Sequence, residues 1–234
     1  MLFDAGDMIQ GNPLASYVKN HLKDDETHPL FAAMNALEYD AAIIGNHEFN
    51  YGLDYLDKVL EGANFPILNA NVYKLDEDGN IVGNYFTPYE ILDKKIIDDN
   101  GNESIIKVGV IGFTPPQVMV WDKSNLTGKV DVEDIVKTAE KFIPKMREEG
   151  ADIIIAIAHS GCDIYSEGKE YAENAVYDLT KVPGIDVMLF GHAHLVFPGG
   201  SEFNGLQDKG IDNEKGTING IPATEAGYWG SHLG

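Results

Sequence analysis

Four uninterrupted apolar runs limit what this chain can fold into: Ala41-Ala42-Ile43-Ile44, Val108-Gly109-Val110-Ile111, Ile153-Ile154-Ile155-Ala156-Ile157-Ala158 and Val187-Met188-Leu189-Phe190. Each lacks the polar–apolar alternation of a strand with one wet face, and each is short, so each reads as a strand buried on both sides. Between them lie stretches of helical period at 29–38, 52–62, 132–149 and 168–180. Strands that need cover on both faces, with amphipathic helices to cover them, make an α/β protein rather than an all-strand sandwich. The third stretch opens at Asp131 as N-cap, with Asp134 in the capping-box position, and closes at Gly150. Asp78-Gly79 and Asn100-Gly101 stand between apolar segments and predict hairpin turns, hence antiparallel additions to the sheet. No internal repeat or interdomain linker breaks the pattern.

The residues at the end of each run are equally informative. Leu2-Phe3 leads into Asp4-Ala5-Gly6-Asp7, Ile43-Ile44 into Gly45-Asn46-His47-Glu48, Ile157-Ala158 into His159-Ser160-Gly161, and Leu189-Phe190 into Gly191-His192-Ala193-His194. Four strands thus deliver metal-ligand chemistry at their carboxyl ends, the edge of an α/β sheet where sites form. In three of them a glycine, Gly6, Gly45 or Gly191, precedes the candidate ligand, where the backbone can turn without a Cβ in the way. Three histidines, one carboxylate and one amide oxygen suit borderline divalent ions such as Zn, Mn, Fe, Co or Ni and exclude a thiolate site. In an extended segment His192 and His194 project to the same face. Asp7 can bridge two ions, and a pair about 3.5–4 Å apart would polarise a phosphoryl group and generate hydroxide at neutral pH.

Charge narrows the substrate. Acidic residues outnumber basic ones 38 to 17, a formal net charge of −21, so the chain lacks the basic surface with which polynucleotide binders neutralise phosphates. Any phosphate handled is small or metal-bound, and affinity for an anionic nucleotide has to come from one local site. The single cysteine, Cys162, can form no internal disulfide, and no apolar run approaches the ~18 residues of a membrane span.

Gly6-Asp7 with Gln10-Gly11, Gly45-Asn46-His47-Glu48, Ala158-His159-Ser160-Gly161 and Gly191-His192-Ala193-His194, in this order and over nearly the whole chain, resemble the motifs of the calcineurin-like metallophosphoesterases. Within that superfamily the chain is similar to the metal-binding domain of bifunctional 2',3'-cyclic-nucleotide 2'-phosphodiesterases/3'-nucleotidases, relatives of the secreted 5'-nucleotidases. The supporting segments are Gly11-Asn12-Pro13-Leu14, Phe49 to Leu56 and Gly191 to Gly199. The resemblance implies a four-layer α/β/β/α sandwich of two mixed sheets flanked by helices. It implies two divalent ions of the Mn, Zn, Co or Fe class, small nucleotide substrates, no polynucleotide and no protein partner. It makes Asp7 the bridging carboxylate, with Asn46, His159 and His192 completing one metal site and His194 belonging to the second. By the same resemblance His47 is the catalytic residue that approaches the phosphate and protonates the leaving alkoxide. Glu48 reads as a brace for its loop. Asn50 stands three residues after His47, where typical 5'-nucleotidases carry an aspartate that assists the histidine, and so favours the cyclic phosphodiesterase branch. The implied reaction is attack of a metal-activated hydroxide on a nucleoside 2',3'-cyclic phosphate, then hydrolysis of the 3'-monophosphate. The location implied is periplasmic, cell-surface or extracellular in a bacterium.

The chain departs from the family at its ends. The family's Asp-x-His on an upstream strand does not precede Asp7, and the carboxyl-terminal domain that stacks on the base is not present, so residues 1–234 read as a partial metallophosphoesterase domain cut at both ends, with the second metal site incomplete. The remaining candidates read blandly. His21, His28 and His232 are surface or capping residues; Cys162 is not needed as a nucleophile when hydroxide attacks directly. The Asp76 to Asn80 loop lacks the glycine and glutamate of a calcium loop, having Ile81 and Thr87 in their places. Asn102-Glu103-Ser104 and Asn125-Leu126-Thr127 match the glycosylation sequon by chance.

Overall fold

The computed structural model describes residues 1–234. The first half of the chain comprises β1 (Phe3–Asp4), α1 (Pro13–His21), α2 (Pro29–Ala36), β2 (Ala41–Ile43), α3 (Leu53–Leu60), β3 (Ile67–Leu68), β4 (Val72–Leu75), β5 (Ile81–Asn84), β6 (Tyr89–Ile97) and β7 (Glu103–Phe113). The second half adds α4 (Val118–Trp121), α5 (Lys123–Leu126), β8 (Val130–Val132), α6 (Ile135–Glu148), β9 (Ile153–Ala158), α7 (Val176–Leu179), β10 (Val187–Phe190), β11 (Val196–Phe197), β12 (Ile211–Asp212), β13 (Thr217–Ile218) and β14 (Ile221–Ala226).

The strands form two facing sheets. The smaller, β1-β2-β3, is parallel; the larger runs β12-β13-β14-β10-β9-β7-β6, with β11 paired to β14, and mixes parallel centre with antiparallel flanks. Between them Ala41, Ile43 and Leu68 meet Val108, Val110, Ile155 and Ile157. Outside the large sheet Ile135, Ala139, Phe142, Ile143 and Met146 of α6 cover Ile111, Ile154 and Ala156. Outside the small sheet Phe31 and Met34 of α2 and Leu53, Leu56 and Val59 of α3 cover Ala42 and Ile44. Every layer is therefore held by apolar burial on the face that its sequence period predicts, and the order of layers is helix, sheet, sheet, helix. A third, antiparallel ribbon, β5-β4-β8, is hydrogen-bonded to neither sheet and buries Val72, Val130 and Val132 in the core outside the small one; Asp78-Gly79 makes its β4–β5 turn and Asn100-Gly101 the β6–β7 turn, as expected.

Three local readings change. The helix expected from Asp131 begins at Ile135, and its N-cap is Asp134, whose carboxylate accepts from the Lys137 amide at 2.9 Å. Asp131 instead lies within β8, paired with Tyr73. The stretch 168–180 yields only the four-residue α7, because Gly168 takes φ 70° and Tyr171 φ 53°, which a helix cannot continue through. In return, α1 follows from a signal already in the sequence: Asn12 accepts from the Ala15 amide as N-cap and Pro13 occupies the first helical position.

Register brings the strand ends level. Ala158 lies opposite Phe113 on one side and Phe190 on the other, and Phe190 lies opposite Glu225. The residues after β9 and β10, and the last residues of β14, therefore share one edge.

Candidate metal centre

Two loops, after β1 and after β2, build the first half of the centre. Asp7 sits at φ 66°, left-handed backbone that a side-chain-bearing residue adopts at a cost of about 1–2 kcal/mol. Its Oδ1 accepts from the His47 amide at 2.8 Å. The conformation is held by Glu48, fully buried, whose carboxylate accepts from the backbone amides of Asp7 (2.8 Å), Met8, Ile9 (3.2 Å) and Gly45 (2.7 Å). One side chain thus ties the two loops together. Burial and the charge of Asp7 push Glu48 up to about 7, against the lowering effect of the amides. Two of the three marked glycines have a geometric reason: Gly6 makes its turn at φ 92°, and a Cβ on Gly45 would lie 2.4 Å from Asp7 Oδ1. At the third, the turn falls on His192 itself, at φ 79°, rather than on Gly191.

His159 and His192 supply the other half. His159, 3% exposed, places Nδ1 2.7 Å from the Ala5 carbonyl. A carbonyl only accepts, so Nδ1 carries a proton, and Nε2 faces Asp7 Oδ2, 2.9 Å away. That pair lacks hydrogen-bond alignment, and Nε2 is left buried without a partner, as is Asn46 Oδ1 of the neighbouring loop. Burial alone would raise Asp7 and lower His159, but each outweighs this for the other: Asp7 is held below the usual carboxylate range and His159 above the usual imidazole one. A cation between Nε2 and Oδ2 satisfies both atoms, whether a proton on the ring or a metal ion bound by its neutral form. The His192 ring packs 5.1 Å from that of His159 and stacks on Trp121 at 5.7 Å, while its Nε2 meets Glu173 Oε1 at 2.9 Å. Burial leads in holding His192 below its ordinary value.

His194 does not join this group. It is exposed, at φ 60°, and its ring stacks on Tyr228 at 5.3 Å. The expectation that His192 and His194 share a face assumed extended backbone, and both residues adopt left-handed φ instead. As the side chains stand, no three His, Cys, Asp or Glu groups converge on a point. The donor set nevertheless fits one divalent ion: Asp7, His159 and His192 supply a carboxylate and two imidazoles, and the orphaned Asn46 oxygen supplies a fourth donor.

His47 completes the arrangement: its amide is held by Asp7 and its Nδ1 lies 2.6 Å from Asn50 Oδ1. Cys162 is inert, its thiol pushed up to about 12 by burial and by the charges of Glu225 and Asp163. His28 is buried and caps α2 through the Leu30 amide. Four contributors carry no sequence signal of their own: Trp121 ends α4, Asp122 follows it, Glu173 lies in the loop before α7 and Glu225 near the end of β14, all outside the motifs.

A family model described as calcineurin-like phosphoesterase matches residues 1–196. The chain is 52% identical over 237 residues to a Salmonella typhimurium 2',3'-cyclic-nucleotide 2'-phosphodiesterase/3'-nucleotidase, covering all of this chain and 35% of that protein. It is also 52% identical to the trifunctional nucleotide phosphoesterase protein YfkN of Bacillus subtilis, covering all of this chain and 16% of that protein. The crystal structure of the Bacillus subtilis calcineurin-like phosphoesterase YfkN superposes with a TM-score of 0.90 over 98% of this chain and 68% of that one. The chain therefore spans about a third or less of the length of these curated relatives. No helix is long and apolar enough to cross a membrane.

Proposed function

The chain belongs to the calcineurin-like phosphoesterase family, and from that premise we propose that it forms the metal-binding part of an enzyme that opens nucleoside 2',3'-cyclic phosphates and hydrolyses the resulting 3'-nucleotides. The observation that carries the reading is the cluster at the sheet edge, where Asp7 contacts both His159 and the His47 amide. Identity of 52% across the whole chain to relatives named for this reaction supports it.

Asp7, Asn46, His159 and His192 would hold one divalent ion, and His194 would have to turn away from Tyr228 to share a second with Asp7. Bound there, the ions supply positive charge for the phosphate and lower the pKa of water to near neutrality. The residues supply the rest. Glu48 keeps Asp7 and His47 at a fixed separation, which sets where phosphorus sits relative to the acid. His47 donates a proton to O2' as the P–O2' bond breaks, water furnishing the new P–O bond and the proton that restores the ring. The same transfer to O3' releases nucleoside and phosphate in the second step. The resemblance supports a periplasmic, cell-surface or extracellular location for the whole protein, which fractionation of the source cells tests.

A panel of 2',3'-cyclic AMP, 3'-AMP and 5'-AMP with added Mn decides the function. Turnover of the first two is expected. Hydrolysis of 5'-AMP alone makes the chain a 5'-nucleotidase or nucleotide-sugar hydrolase instead. No turnover in any arm, with about one tightly held ion per chain, makes it a non-catalytic metal-binding unit.

A further inference from the structure

Asp122, between α4 and α5, has an unexplained position. It is 7% exposed, and both carboxylate oxygens accept from one group, the side-chain amide of Asn50, each at 3.0 Å. Burying a carboxylate against a neutral amide does little for folding, since desolvation of the charge is costly and no opposite charge repays it. The arrangement does, however, fix the Asn50 amide. Its nitrogen must face Asp122, because a carboxylate only accepts, and its oxygen must therefore face His47 Nδ1, 2.6 Å away. An acceptor there obliges Nδ1 to carry the proton. The ring's other nitrogen, Nε2, is then the one that takes up a proton and, in the doubly protonated ring, gives it to a leaving oxygen.

We propose that Asp122 is a positioning residue that acts through Asn50 to lock the tautomer and orientation of His47. The inference rests on the reading of His47 as the acid toward the leaving oxygen. The corner carrying Asp122 is itself pinned to the same turn: Asn125 Nδ2 donates to the carbonyls of Phe49 (2.9 Å) and Asn50 (3.2 Å). Two side chains one turn apart in α5 and its cap thus hold both the backbone and the amide of the segment that bears His47. A carboxylate directly against the histidine would do the same job with its charge adjacent; here an amide is interposed and the charge stands one residue further back. The sequence motif ends at Asn50 and gives no hint of Asp122, 72 residues on.

The test begins with the metal-free chain, labelled with 15N in histidine, whose NMR spectrum reports which imidazole nitrogen of His47 is protonated. Asp122→Asn keeps the shape but can donate as well as accept, so it frees Asn50 to rotate. The wild-type chain should show one tautomer with the proton on Nδ1, and Asp122→Asn a mixture. The exchange variant Asn50→Asp/Asp122→Asn should restore the single tautomer, because the carboxylate moved to position 50 accepts from Nδ1 and the amide moved to position 122 donates to that carboxylate. An Asp122→Asn spectrum identical to wild type overturns the proposal, as does an exchange variant that resembles Asp122→Asn.

Turnover supplies the second readout. Asp122→Asn should lower kcat on 3'-AMP by about 10–100-fold with KM within about 2-fold, but lower it far less on 4-nitrophenyl phosphate, whose leaving group needs little protonation. The exchange variant should recover most of the loss. Equal losses on both substrates would mark a merely structural role and overturn the proposal. Absence of wild-type turnover would defeat the proposed function, while the tautomer measurement still decides the role of Asp122.

Discussion

The loops after β1 and β2 and the loop after β10 each bring expected metal ligands to the same sheet edge, yet they are built in opposite ways. The loops carrying Asp7, Asn46 and His47 are fixed by the Asp7, Met8, Ile9 and Gly45 amides, which converge on one buried carboxylate, Glu48, and by the His47 amide on Asp7. His192 and His194 are held by stacking on Trp121 and Tyr228 and by a single contact to Glu173, and Glu225 is the one buried carboxylate beneath them, accepting only the Leu195 amide. The first half is organised by hydrogen bonds of its own. The second has its ligands nearby but turned to other partners, so an ion can set its final geometry. The strain of left-handed backbone at Asp7, His192 and His194 is common to both halves, but only at Asp7 does a hydrogen-bond network visibly sustain it.

Removing Glu48 should break this contrast most forcefully. Glu48→Ala leaves up to four amides, mostly buried, without an acceptor and opens a cavity, a loss on the order of 3–5 kcal/mol or more, measured by urea denaturation. His194→Ala, at an exposed position, should change stability by less than about 0.5 kcal/mol in the same assay. Comparable losses from the two would erase the distinction. The next largest effect concerns metal. With Mn at about 100 times its dissociation constant, the wild-type chain should gain about 2.7 kcal/mol of stability, and His192→Ala should lose most of that gain. Because the histidines bind only when neutral, acidification below pH ~5 should abolish the gain. Stabilisation by Mn that persists in His192→Ala would mean that the first half holds the ion unaided.

The contrast also explains what could be read from the sequence. The strand-end motifs were legible because strands buried on both faces leave a plain apolar run, and each run stops where Asp7, Asn46, His159 or His192 begins. The α/β class followed from the same runs, and the four-layer order from the resemblance. The fixed half kept its local logic, with Asp7, Asn46, His47 and Glu48 acting near their own motif. Misreadings came where a residue's conformation depends on a distant partner or on φ. Asp131 and Asp134 both look like helix caps, and only the pairing of Asp131 with Tyr73 in the ribbon decides between them. His192 and His194 looked like neighbours on one face until left-handed backbone separated them. Trp121, Asp122, Glu173 and Glu225 were invisible because no period or spacing relates them to the motifs; the fold's register and loop placement alone bring them in.

Glu225 gives the smallest and most discriminating test, because it occupies in the second half the place that Glu48 occupies in the first. It is 1% exposed; one oxygen accepts from the Leu195 amide at 3.1 Å and the other is buried without a partner. Burial pushes its carboxyl up to about 8, with the Leu195 amide and His159 opposing too weakly to offset it. The folded state therefore retains a proton that the unfolded chain has lost above the ordinary value of 4.5. Folded chains bind more protons than unfolded ones throughout that interval, so the contribution of Glu225 is complete below about pH 4.5 and declines as pH rises toward 8. Glu225→Gln, which stays neutral, should flatten the fall in stability between about pH 5 and 8 by on the order of 1–2 kcal/mol, as measured by denaturation at a series of pH values. An unchanged slope would show that the folded chain does not keep a proton on Glu225 over this interval, and that the buried oxygen of Glu225 has found a partner.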